Sequence, residues 1–150
     1  MSSPKPNAFL YDLDRWPLVI TCDYGKSEQN QIRSFYEEMN VRLHQETRYY
    51  TISIVDYASV GSTAHNEIGG VWLRHNADQV NRLMIGATIV ARSPVTRAAI
   101  QTYMLFNRMA GGKYTFVSSL MDAVQDAQAA FAREKIVLPA APSGWPRVYL

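Results

Sequence analysis

The run from Leu83 to Ala91, Leu-Met-Ile-Gly-Ala-Thr-Ile-Val-Ala, constrains this chain more than any other stretch. A strand with one face in water alternates apolar and polar residues; this run is almost continuously apolar. That pattern belongs to a central strand covered on both faces, as in parallel sheets. Ser93-Pro94 follows at once and is a strong helix start. Ser suits the N-cap, and Pro suits the first helical position, where its missing N–H costs nothing. A doubly covered strand running directly into a helix is the building unit of an open α/β sheet.

The same grammar recurs on either side. Tyr50 to Val55 reads as a strand closed by Asp56, followed by a polar loop, Tyr57 to Thr63, and an amphipathic helix to about His75. In that helix Ile68, Val71 and Trp72 or Leu73 form the inward stripe. Gly69-Gly70 lies inside it, although each glycine weakens a helix by roughly 1 kcal/mol relative to alanine. A close helix–sheet or helix–helix contact at that turn is the expected reason. Upstream, Ile32, Phe35, Met39 and Leu43 mark one face of a helix from Ser27 to about Glu46. Two strands precede it, Ala8–Leu13 and Trp16–Cys22, near enough to pair as a hairpin. Downstream, the Ser93-Pro94 helix is expected to end at Gly111-Gly112. Tyr114–Val117 is the last strand. Ser118-Ser119 caps a final helix with Leu120, Val124, Ala127 and Phe131 inward.

The order is therefore ββαβαβαβα. It implies a mostly parallel sheet of four to five strands with an N-terminal hairpin and about four helices. Residues 8–134 make the domain. Residues 1–7 read as a disordered tail, and 135–150 as an extended tail carrying Pro139, Pro142 and Pro146, pinned by Trp145 and Tyr149.

Composition narrows the function classes. With 47% hydrophobic and 19% charged residues in 150, the chain suits one globular domain with a real core. A net charge of +2 from scattered basic residues gives no nucleic-acid surface. The single cysteine, Cys22, forms no internal disulfide and no cysteine-rich zinc site. No apolar run approaches about 18 residues, so no membrane span is expected. The first residues lack the apolar core of a secretory signal. A cytoplasmic protein is the resulting expectation.

Catalytic signatures are missing from the sequence. There is no Gly-x-Ser-x-Gly elbow, no phosphate loop ending in Gly-Lys-Ser/Thr, and no Gly-x-Gly-x-x-Gly after a strand. His65 and His75 do not have the i, i+4 spacing of a helical metal pair, so no metal site is expected. Cys22 ends an apolar strand and reads as a buried structural thiol; a Cys22–His65 pair oriented by Asp56 has no spacing to support it. The sequence reading is a protein that is not an enzyme and carries no cofactor.

The element order, together with Ile52-Ser53-Ile54-Val55-Asp56, Ile68-Gly69-Gly70-Val71-Trp72-Leu73, Ala87-Thr88-Ile89-Val90-Ala91 and Phe116-Val117-Ser118-Ser119, resembles the STAS domain of anti-sigma-factor antagonists. The resemblance covers roughly Phe9 to Arg133. It implies a regulatory role and a phosphorylatable serine at the start of the second helix. Matching Gly70-Val71 to the small-residue pair beyond that turn places His65-Asn66-Glu67 there, with no hydroxyl. Ser62 and Thr63, just upstream, are then the alternatives for phosphorylation, or Glu67 supplies a fixed negative charge.

If the strands are parallel, Asp23, Asp56, Arg92 and Ser118 share the carboxyl edge of the sheet, where ligands of open α/β folds bind. The expected partner-binding loop comprises Asp56, Ser59, Ser62, Thr63 and His65, continuing through Asn66 and Glu67. An anion site is expected at Arg92, Ser93 and Arg97. The plainer reading is that these Asp and Ser residues cap turns and helices. Tyr49, Tyr50, Tyr103, Tyr114 and Tyr149 either line a self-association surface or pack on the sheet. The leading expectation is a regulatory or adaptor domain whose loop after the third strand docks a protein partner, a kinase or other signalling protein, with a homodimer as a further expectation. A small-ligand domain for a nucleotide or lipid, and a small enzyme of unrecognised type, are the alternatives.

Overall fold

In a computed structural model of the chain, residues 9–24, 29–56, 63–106 and 113–146 are described, with backbone only for 63–66, 103, 105 and 106. The described strands are β1 (Phe9–Asp12), β2 (Leu18–Asp23), β3 (Tyr49–Val55), β4 (Met84–Val90) and β5 (Tyr114–Val117). They form one sheet in the order β1-β2-β3-β4-β5. β1 runs antiparallel to β2, and every later pairing is parallel. The helices are α1 (Gln29–Leu43), α2 (Thr63–His75), α3 (Ala77–Leu83), α4 (Pro94–Phe106) and α5 (Leu120–Arg133).

Side-chain alternation sorts the sheet into two faces. Leu18, Ile20 and Cys22 of β2, with Tyr50, Ile52 and Ile54 of β3, join Leu120, Ala123, Ala127 and Phe131 of α5 in one core. Val19, Tyr49, Met84 and Ala87 join Ile32, Phe35, Met39 and Leu43 of α1 and Val80 and Leu83 of α3 in the other. α4 meets this second face through Ile100 and Met104, which pack with Ile89 and Ala91. All crossover helices thus lie on one side, as successive right-handed crossovers between adjacent parallel strands require. α5 covers the opposite side.

Local chemistry explains the helix starts. The Ser93 hydroxyl accepts the Thr96 N–H at 3.0 Å, and the Ser119 hydroxyl accepts that of Asp122 at 3.2 Å. α1 and α5 are followed by the left-handed residues Glu46 (φ 57°) and Lys135 (φ 56°), which turn the chain out of the helix. Beyond α5, Ile136, Leu138 and Trp145 pack on the α5-side core. Arg15 holds this segment, with Nε donating to the Pro139 carbonyl at 2.7 Å and its guanidinium 4.8 Å from the Trp145 ring centre.

Several expectations need correction. There are five described helices rather than about four. α3 has only two buried anchors, Val80 and Leu83, too few to show a period, and Leu83 ends this helix instead of opening β4. Val71 is not on the inward stripe of α2: it is 45% exposed, whereas Ile68, Trp72 and Leu73 pack inward. Tyr49 and Tyr50 are 2% and 4% exposed, so they serve the sheet core and not a self-association surface. The Ser27 cap, the Gly111-Gly112 stop and Tyr149 lie outside the described residues.

Candidate site: a cavity between the sheet and its helices

The small residues of β2 and β3 on the crossover-helix side decide what sits above them. In register, Val19 faces Thr51, which faces Ala87; one step on, Thr21 faces Ser53, which faces Ile89; then Asp23 faces Val55. In the middle of a sheet these positions would ordinarily hold large aliphatic side chains. Here the hydroxyl residues Thr21, Thr51 and Ser53 take volume out of the layer. A cavity of about 240 Å³ lies above them, reaching α1, α2 and α4. Thr21, Thr51 and Ser53 stay half-buried for this reason, although they stand on interior strands.

The walls are apolar and aromatic. α1 contributes Phe35, Tyr36 and Met39; α2 contributes Trp72 and Leu73; Ile100 and Met104 come from α4. The α1–α2 seam is closed by Tyr36 against Trp72, ring centres 4.9 Å apart, and by Trp72 Nε1 donating to Asn40 Oδ1 at 2.7 Å. Gly69 and Gly70 line the cavity too. The close contact expected at this glycine pair is not what Gly70 shows. A methyl built there would meet only the guanidinium of its own helix's Arg74, at 3.4 Å. The missing side chains enlarge the space under α2 instead.

The polar groups of the floor are few and placed together. Thr21 Oγ1 donates to Ser53 Oγ at 3.3 Å. Thr51 makes no side-chain hydrogen bond to another described residue. Asp23, 7% exposed, is the only charged side chain among the described residues lining the cavity. Its carbonyl accepts the Asp56 N–H at 3.4 Å, tying two strand ends together.

The other face of the same edge carries a separate polar group. Cys22 Sγ donates to the Tyr24 hydroxyl at 3.2 Å, and both residues are buried. Burial first, then the contact with Cys22 and the nearby Asp56, drive the Tyr24 pKa well above that of a free tyrosine; Arg92 pulls the other way. Asp23, Asp56 and Arg92 therefore do gather at the carboxyl edge, as the sequence implies. They divide between the two faces and do not converge on one point.

Of the expected partner loop, Ser59 and Ser62 lie outside the described residues. Thr63, His65 and Asn66 fall in the first turn of α2, where only the backbone is described. Asp56 is half-buried and Glu67 exposed. The residues of the expected anion site flank the start of α4: Arg92 and Ser93 precede it and Arg97 lies in its first turn. The Ser93 hydroxyl is engaged in its cap, Arg97 lies over the Phe116 ring at 5.9 Å, and the charge of Arg92 is felt at Tyr24. Among the described residues no group of three or more His, Cys, Asp or Glu is arranged to hold a metal ion, and no helix is long and apolar enough to cross a membrane.

The cavity has no single motif behind it. Its only sequence traces are the hydroxyls at Thr21, Thr51 and Ser53 on strands that should be wholly apolar, and the Gly69-Gly70 pair. No protein-family model, curated protein or solved structure matches this chain.

Proposed function

We propose that the chain is a binding domain for a small molecule held between the sheet and α1, α2 and α4. The observation that carries this reading is the hydroxyl-floored, aromatic-walled cavity of about 240 Å³. A cavity of about 150 Å³ lined by apolar residues accepts benzene, so this one has room for a larger ligand. Topology supports the same location. Open α/β sheets bind ligands at the edge where strand order reverses. Here the order never reverses, so no such crevice forms, and the space lies inside the helix layer instead.

Ser53→Leu tests the reading by filling the floor. Benzene should raise the melting temperature of the wild-type chain, because a ligand bound only by the folded state stabilises it. The Ser53→Leu protein should fold and show no further rise with benzene. No rise in the wild type would overturn the proposal.

A second reading, a STAS-like regulatory domain, draws support from the position of α2. This helix roofs the cavity and begins where the loop after Asp56 ends. Its exposed Glu67 then stands at the surface a protein partner would meet. The regulatory reading expects Ser62→Asp and Glu67→Lys to change partner capture. If both variants capture the same proteins as the wild type in the same amounts, the loop is not the docking surface.

A further inference from the structure

The rings of the cavity wall are arranged in a way that volume alone does not express. We infer that the ligand carries an aromatic ring, that this ring docks against the wall made by Phe35, Tyr36 and Trp72, and that Trp72 selects aromatic over saturated rings. This deepens the binding reading and rests on it.

The lining rings on the α1–α2 side follow one another in a row. Phe9 lies 5.5 Å from Phe35, Phe35 lies 5.0 Å from Tyr36, and Tyr36 lies 4.9 Å from Trp72, centre to centre. Their planes are inclined by 59°, 62° and 34° in turn, so the row offers both ring faces and ring edges. An aromatic face is electronegative and an aromatic edge electropositive. An incoming aromatic ring can therefore meet this wall edge to face or in an offset stack. A saturated ring has no such charge pattern and gains only from burial. Met39, Met84 and Met104 line the same space, and thioether sulfur makes favourable contacts with ring edges.

Trp72 brings the largest ring and is fixed before any ligand arrives. Tyr36 packs against it, and Asn40 Oδ1 accepts its Nε1–H at 2.7 Å. A platform already held in place loses little freedom when a ligand binds. Gly69, three positions earlier and so beside Trp72 on α2, also lines the cavity and has no side chain to compete for the space.

Calorimetric titration of the full chain with benzene and cyclohexane tests this. Cyclohexane has the larger apolar surface, so burial alone favours it in any cavity. The readout is therefore the ratio of the two affinities, which a loss common to both ligands leaves unchanged. Trp72→Leu should shift that ratio towards cyclohexane by about threefold or more, and Tyr36→Leu should shift it the same way. Trp72→Phe should keep most of the wild-type ratio. Ile100→Val, on the aliphatic part of the wall, should leave it unchanged. The same ratio in the wild type, Trp72→Leu and Tyr36→Leu would overturn the inference, with the binding reading intact. A measurement on the wild type alone reads the contact directly: nuclear Overhauser effects from bound benzene should reach the Trp72 ring protons. Effects confined to the methyl groups of Val19 and Ile100 would overturn the inference, again with the binding reading intact. Failure of benzene to bind the wild type would remove the binding reading and this inference with it.

Discussion

At Gly86 the sheet depends on a missing side chain. A methyl built there would lie 2.7 Å from Cε2 of Tyr50 on the neighbouring strand. The ring cannot easily move aside. Tyr50 is buried, its hydroxyl is 2.5 Å from Thr88 Oγ1, and Thr88 in turn meets Thr115 at 3.1 Å. Gly86→Ala should therefore destabilise the chain by about 1–3 kcal/mol, the usual cost of overpacking a tight interior. Urea unfolding measures it; an unchanged midpoint would show that the ring yields. In the sequence Gly86 is one more small residue in an apolar run. Its role comes from the register irregularity at Tyr49/Tyr50, which sets Gly86 opposite Tyr50. Nothing local encodes that pairing.

Elements that start or stop by local chemistry were legible before any coordinates. The Ser93-Pro94 start, the Ser119 cap and the doubly buried β4 each state themselves within a few residues. α3 did not, because two anchors cannot display a period. The cavity did not either, since hydroxyls on a strand look like ordinary alternation until the register shows them side by side. Among these elements α5 bears a particular load, as it alone among the described helices covers the Leu18–Ile52 face of the sheet. Its start is fixed by the Ser119 hydroxyl. Ser119→Ala should cost about 1 kcal/mol, read as a lower urea midpoint with an unchanged slope. Full recovery by Ser119→Asp would show that the cap, and not a side effect of truncation, is responsible.

For the molecule as a whole, tyrosines set the response to alkali. Burial raises the pKa of Tyr24, Tyr49, Tyr50, Tyr114 and Tyr11 above the ordinary 10.0. Below that value the phenols are protonated in both folded and unfolded chains and contribute no pH dependence. Above it the unfolded chain releases protons that the folded chain retains, so stability falls with each further step. The tyrosine contribution to stability should be level up to about pH 9 and decline from about pH 10 upward. Ultraviolet titration should show part of the phenolate signal appearing only with loss of structure. A smooth titration of all nine tyrosines around pH 10.0, with circular dichroism unchanged, would contradict the burial described here.

The unbroken strand order has one more consequence, for how the chain is made. Emerging from the ribosome N-terminus first, each parallel strand after β2 finds its neighbour already laid down and adds to a growing rim. It does so only across a whole crossover, as Leu18 does with Tyr50 and Tyr50 with Gly86, and such distant pairing slows folding. The far side enjoys no such order of arrival. Leu18, Ile20 and Ile52 wait bare until every strand has been laid down, because the segment that shelters them, Leu120 to Phe131, follows β5.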